Sequence, residues 1–170
     1  MKYVLTGGPG IGKTTVIEIL AARGYEVVPE AARMIVEEQK AESGNVFPWT
    51  DLRKFQEKVA ERQIQLEEKA QRPPIFLDRG LIDGYGYSIL GQVDPPEIIE
   101  EKGFKRYEKV FILEPLNIYI NDHVRTEDRV EARRIHDAII NAYKRFNYEI
   151  IAIPVLSPEE RVEEILRMTE

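Results

Sequence analysis

Residues 7–15 read GGPGIGKTT, which places Gly7, four residues, then Gly12, Lys13 and Thr14. Glycines at this spacing let backbone N–H groups turn inward around phosphate oxygens. A helix opening behind them presents its positive end to the same charge. Lys13 is then in reach of the outer phosphates of a nucleoside triphosphate, and the Thr14 hydroxyl is placed to hold Mg²⁺. The expected nucleotide cradle is Gly8, Pro9, Gly10, Ile11, Gly12, Lys13, Thr14 and Thr15. A glycine-rich turn without a ligand is the plain alternative. The β-rich run KYVLT before the glycines and the helical pattern after them supply the context that phosphate binding requires.

Three further groups could act on a phosphate. FLDRG puts Asp78 and Arg79 at the end of an apolar run, where a carboxylate can bind Mg²⁺ and an arginine can clamp a phosphate or a substrate hydroxyl. A structural ion pair is the bland reading of the same two residues. In VVPEAARM, Glu30 follows a strand and opens a helix. There it is either a carboxylate favoured by the helix dipole or a base for a hydroxyl nucleophile. Arg33, one turn on, would bind an anionic substrate group or pair with Glu30. In HVRTEDRVEARRIH, Arg125, Arg129 and Arg133 recur every four residues. A lid arginine could stabilise migrating charge, with Arg125 and Arg129 the first candidates. Glu127, Asp128 and Glu131 interleave with them, which also suits a salt-bridged surface helix.

Gln56 and Gln63 lie seven residues apart beside Phe55 and Val59, so either amide could read a heterocycle or be a solvated helix residue. Phe47, Trp49, Tyr85 and Tyr87 could stack on a ring or belong to the core. His123 and His136 have no neighbour at metal-ligand spacing and are assigned no metal role.

The elements that must position these residues alternate. KYVLT (2–6), YEVVP (25–29), IFLD (75–78), KVFILE (109–114) and YEIIAIP (148–154) read as strands. Helices are expected over 13–23, 30–39, 51–71 and 126–146, on both sides of Asp94-Pro95-Pro96 within 80–102, and from Ser157 or Pro158 onward. AESGNVFPWT reads as a loop. Nearly continuous apolar strands separated by helices specify a parallel sheet covered on both faces. The 170 residues suit a single α/β domain over 1–170. The chain is 43% hydrophobic and 32% charged, with no cysteine and no apolar run of the ~20 residues that a membrane span needs. A cytoplasmic setting is the expectation, without disulfides, thiolate metal sites or a membrane partner. A net charge of −6 argues against a broad nucleic-acid surface. A homodimer stays open.

The collinear series TGGPGIGKTT, GYEVVPEAAR, PW before an FQ helix, FLDRG, VFILEP, an arginine lid and AYKRFNYEIIAIPVLSPEERV resembles an AAA-like P-loop ATPase/kinase family. That family is typified by the ribosylnicotinamide kinase domain of NadR and includes TRP-channel-translocation proteins. More distantly the chain is similar to deoxynucleoside and thymidylate kinases. The resemblance implies a three-layer P-loop fold of nucleoside/nucleotide-kinase type, about five parallel strands and a lid near 115–135. It also implies Glu30 as base on a sugar hydroxyl, Asp78 and Arg79 serving Mg²⁺ and substrate, Gln56 reading a base, and Val155 in the loop that grips adenine.

The expected activity is Mg²⁺–ATP-dependent transfer to a hydroxyl of a small molecule, a nucleoside or ribosylnicotinamide-like compound. The rival is a nucleotide-hydrolysing switch without an acceptor. No Asn/Thr-Lys-x-Asp guanine motif is present, which favours adenine.

Overall fold

The architecture is read from a computed structural model that describes residues 1–115 and 126–169. In chain order the elements are β1 (Lys2–Thr6), α1 (Lys13–Ala22), β2 (Glu26–Val28), α2 (Ala31–Ala41), α3 (Leu52–Lys69), β3 (Ile75–Asp78), α4 (Asp83–Leu90), α5 (Glu97–Lys102), β4 (Lys109–Leu113), α6 (Thr126–Arg145), β5 (Ile150–Ile153) and α7 (Pro158–Arg167). The five strands are all parallel in the order β2-β3-β1-β4-β5.

Alternation along the strands explains why the sheet needs two covers. In β1, Val4 joins one apolar cluster, while Tyr3 and Leu5 join the other. β3 divides Ile75 and Leu77 from Phe76 in the same way, and β4 divides Val110 and Ile112 from Phe111 and Leu113. Each buried Leu, Ile or Phe contributes roughly 1.5–3 kcal/mol, so both faces must be roofed. Helices α1 and α7 pack together over the face of Leu5 and Phe76, and α3, α4 and α6 cover the face of Val4 and Leu77.

Local chemistry agrees with these boundaries. The Asp51 side chain accepts from Lys54 N at the start of α3. Ser157 and Glu160 form a reciprocal capping box at the start of α7, with Pro158 in the first turn. The last strand starts at Ile150 rather than Tyr148, because Tyr148 N still donates to Tyr143 O (3.1 Å) at the end of α6, while the Tyr148 hydroxyl meets Gly103 O (2.7 Å) and Arg106 N (2.6 Å). In the register, Leu5 of β1 stands beside both Asp78 of β3 and Phe111 of β4. The glycine loop after β1 therefore emerges next to the carboxyl end of β3, where an open α/β sheet binds ligands.

Candidate phosphoryl-transfer site

The loop between β1 and α1 takes positive φ at Gly7 (138°), Gly10 (69°) and Gly12 (81°), a region that a Cβ makes costly. No side chain caps the start of α1 at Gly12, which leaves its first-turn amides available to an anion. Three long-range contacts shape the loop. Arg79 Nη1 donates to Gly7 O at 2.9 Å, Gly8 N donates to His136 Nδ1 at 3.0 Å, and Arg161 Nη1 donates to Ile11 O at 2.6 Å. Arg161 is buried and also holds Pro154 O (3.1 Å) and Glu114 O (2.8 Å), tying the ends of β5 and β4 to the loop. Burial pulls its pKa down, with Glu114 opposing. Val155 follows Pro154 on this side of the sheet and is exposed.

Lys13 and Asp78 are both buried, and Lys13 Nζ lies 2.8 Å from Asp78 Oδ1. The pair is close in distance but not aligned as a hydrogen bond, so Asp78 Oδ1 remains a buried oxygen without one. A buried carboxylate oxygen short of donors, next to Lys13 of the phosphate loop, suits Mg²⁺. That ion is usually held by one or two protein oxygens plus phosphates and waters. No cluster of three or more His, Cys, Asp or Glu suited to a metal occurs among the described residues.

On the opposite side of Arg79 lies a cavity of about 340 Å³. Glu30, Arg33, Gln56 and Arg79, separated widely in sequence, all line it, between apolar walls that include Phe55, Val59 and Tyr87. Glu30 occupies the N-cap position of α2, yet its side chain does not cap that helix. Its carboxylate instead meets Arg79 Nε at 3.3 Å. Arg33 is exposed where it meets the cavity. Gln56 is buried, and its Oε1 accepts no hydrogen bond. Gln63 differs: its amide donates to Glu67 Oε1 (3.0 Å) and Arg79 O (3.3 Å) and is used up holding the frame.

Arg79 is the hinge between the two halves. It adopts φ 69°, unusual for a side-chain-bearing residue and of the kind that clusters at functional sites. Its guanidinium reaches Gly7 O, Glu30, Asp83 Oδ1 (3.0 Å) and the face of Tyr87 (5.4 Å to the ring centre). Burial disfavours its charge, but Tyr87, Asp83 and Glu30 more than offset this and raise its pKa. Asp83 is buried and saturated. Besides Arg79 it takes a short hydrogen bond from Thr6 Oγ1 and bonds from Gly80 N (2.9 Å) and Tyr143 OH (2.6 Å). Burial first, then the Asp83 charge, pushes the Tyr143 pKa well up, so the phenol keeps its proton and donates.

Arg129 is exposed on α6 and does not line this cavity, and Arg125 lies outside the described residues. The surface-helix reading of that segment holds for Arg133, paired with Asp137 (3.1 Å), and for Arg134, paired with Glu131 (3.0 Å). Of the aromatics, Phe47 and Trp49 stack on each other, Tyr85 packs on Phe146, and Tyr87 alone of the four lines the cavity. Asp83, His136 and Arg161 had no distinguishing sequence signal, because the contacts that tie them to the loop and to α6 (Tyr143 for Asp83, Gly8 for His136, Ile11 for Arg161) span 60, 128 and 150 positions.

The family model described as AAA domain matches residues 2–161. No curated protein sequence matches the chain. Among solved structures, a NadR protein in complex with NR is similar, with TM-score 0.67 and 17% identity over 99% of this chain and 50% of that one. The chain thus spans half the length of that relative. Thymidylate kinase from Candida albicans aligns with TM-score 0.65 and 12% identity, over 98% of this chain and 89% of that chain. Deoxyadenosine kinase from M. mycoides, with product dCMP bound, aligns with TM-score 0.60 and 18% identity, over 99% and 98%. The five-stranded parallel fold is thus that of P-loop kinases acting on nucleosides and nucleotides. No helix among the described residues is long and apolar enough to cross a membrane.

Proposed function

Because the chain belongs to the AAA domain family that its residues 2–161 match, we propose that it transfers the γ-phosphoryl group of ATP to a hydroxyl of a small molecule, a nucleoside or ribosylnicotinamide-like compound. One observation carries this reading. The phosphate loop and a ring-sized, mostly apolar cavity share Arg79 as a common wall, with the Glu30 carboxylate at their junction. A protein that only hydrolyses nucleotide has no need of a second, apolar chamber with a buried, unpaired amide oxygen.

In this mechanism Lys13 and the loop amides bind the triphosphate, and Glu30 accepts the proton of the acceptor hydroxyl as its oxygen attacks the γ-phosphorus. The bond to the β–γ bridging oxygen breaks and ADP leaves. Arg79 keeps Glu30 oriented and adds positive charge where negative charge spreads in the transition state. Thr14 and Asp78 would hold Mg²⁺, which when bound neutralises phosphate charge. Gln56 Oε1 takes a donor on the acceptor's ring, and Arg33 meets anionic or hydroxyl groups at the cavity's exposed side. Val155, beside the loop, and Arg125 and Arg129 complete the nucleotide end of the proposal.

The test is ATP consumption against a panel of nucleosides, ribosylnicotinamide and related sugars, beside a control without acceptor. Acceptor-dependent consumption is expected, and Lys13→Ala should lower it by about 100-fold or more. Equal consumption with and without every acceptor would overturn the kinase reading in favour of a nucleotide-hydrolysing switch.

A further inference from the structure

One peptide unit of the phosphate loop is held at both ends by side chains from different parts of the chain. The carbonyl of Gly7 accepts from Arg79 Nη1 at 2.9 Å, while the N–H of the next residue, Gly8, donates to His136 Nδ1 at 3.0 Å. A peptide between two glycines has little steric resistance to flipping, and Gly7 already sits at φ 138°. A flip would turn the Gly7 carbonyl toward His136 and the Gly8 N–H toward the Arg79 guanidinium, so both contacts would be lost and the loop would be free to change shape. His136 is 2% exposed on α6. The backbone of that helix abuts the loop so closely that Ala132 O lies 2.8 Å from a Cβ placed on Gly8.

We propose that His136 is a positioning residue for nucleotide binding: as the neutral, Nε2-protonated imidazole it accepts the Gly8 N–H and, with Arg79, locks the Gly7–Gly8 peptide in its phosphate-binding orientation. Arg79 also holds Glu30 and Asp83, and Tyr143 of α6 holds Asp83 from the far side. The locked peptide therefore ties the nucleotide loop to the acceptor cavity and to α6. This inference rests on the nucleotide half of the function proposed above and not on the identity of the acceptor.

Protonation would destroy the acceptor at Nδ1. Burial lowers the His136 pKa. The charged groups bearing on it are Glu114 beyond β4, which opposes that shift, and Arg133 and Asp137 on α6, which act in opposite senses. The loop faces it with the backbone of Gly7 and Gly8, across which lies the Arg79 guanidinium. The lock is therefore closed at neutral pH and opens only as pH falls below the ordinary histidine value of about 6.5.

The experiment measures calorimetric affinity for Mg²⁺ and a non-hydrolysable ATP analogue from pH 8 to 5, on wild type, His136→Phe and His136→Asn. His136→Phe keeps a ring without an acceptor and should bind roughly tenfold more weakly at pH 7.5. His136→Asn restores an oxygen near the Nδ1 position that does not titrate. It should bind like wild type at pH 7.5 and lack the extra acid loss of wild type, the nucleotide's own protonation being common to all three. Unchanged or tighter binding in His136→Phe, or the same acid profile in His136→Asn as in wild type, would overturn the proposal. If His136→Phe does not fold, the asparagine profile still decides. Wild type failing to bind the analogue would instead sink the proposed function.

Discussion

Two buried carboxylates stand at opposite ends of the sheet and are treated differently. Glu67, near the end of α3, sits beside the amino-terminal ends of β1 and β4. It accepts from Gln63 (3.0 Å), Tyr107 OH (2.8 Å), Lys2 (3.3 Å) and Arg106 (2.8 Å), two bonds to each oxygen. Asp78 ends β3 at the opposite edge, has Lys13 close by, and leaves Oδ1 without an aligned hydrogen bond. Buried charges are costly unless paired and hydrogen-bonded, so a saturated carboxylate reads as frame and an unsaturated one as a place kept for a ligand. The two glutamines repeat the contrast within one helix, Gln63 satisfied and Gln56 with an open oxygen.

The contrast is sharpest in stability. Glu67→Ala strands Lys2 and Arg106, and denaturant unfolding should show a loss of about 3 kcal/mol, the low end for a broken buried pair because Lys2 keeps access to water. The affinity of the folded fraction for the ATP analogue should stay near that of wild type. A loss under about 1 kcal/mol would mean that saturation does not mark a structural role. Asp78→Asn should do the reverse, melting close to wild type while acceptor-dependent turnover falls by about 100-fold. A collapse in melting temperature with turnover intact in the folded fraction would merge the two carboxylates into one class. Smaller still, Gln56→Leu should raise the acceptor KM by about tenfold with kcat little changed, since one uniform binding contact is removed. The same change at Gln63 should lower stability first, and equal kinetic effects at both positions would erase the distinction.

What the sequence determined by itself is what depends on nearest neighbours along the chain. Strand–glycine–helix spacing specifies the phosphate loop, apolar runs between helices specify a parallel sheet, and Ser157 or Pro158 marks the start of the last helix. These are local because backbone conformation and capping are settled within a few residues. It was also enough to name Glu30, Arg33, Gln56 and Arg79, which the fold assembles around one cavity. Only the tertiary structure decided which polar groups are already satisfied. Arginine spacing near 125–134 could not separate a lid from a salt-bridged face, and nothing in the sequence marked His136 or Arg161 as contacts of the phosphate loop. Their roles depend on which backbone atom a parallel strand order sets beside them, and on burial that removes water as the competing partner. That information exists only once distant segments meet.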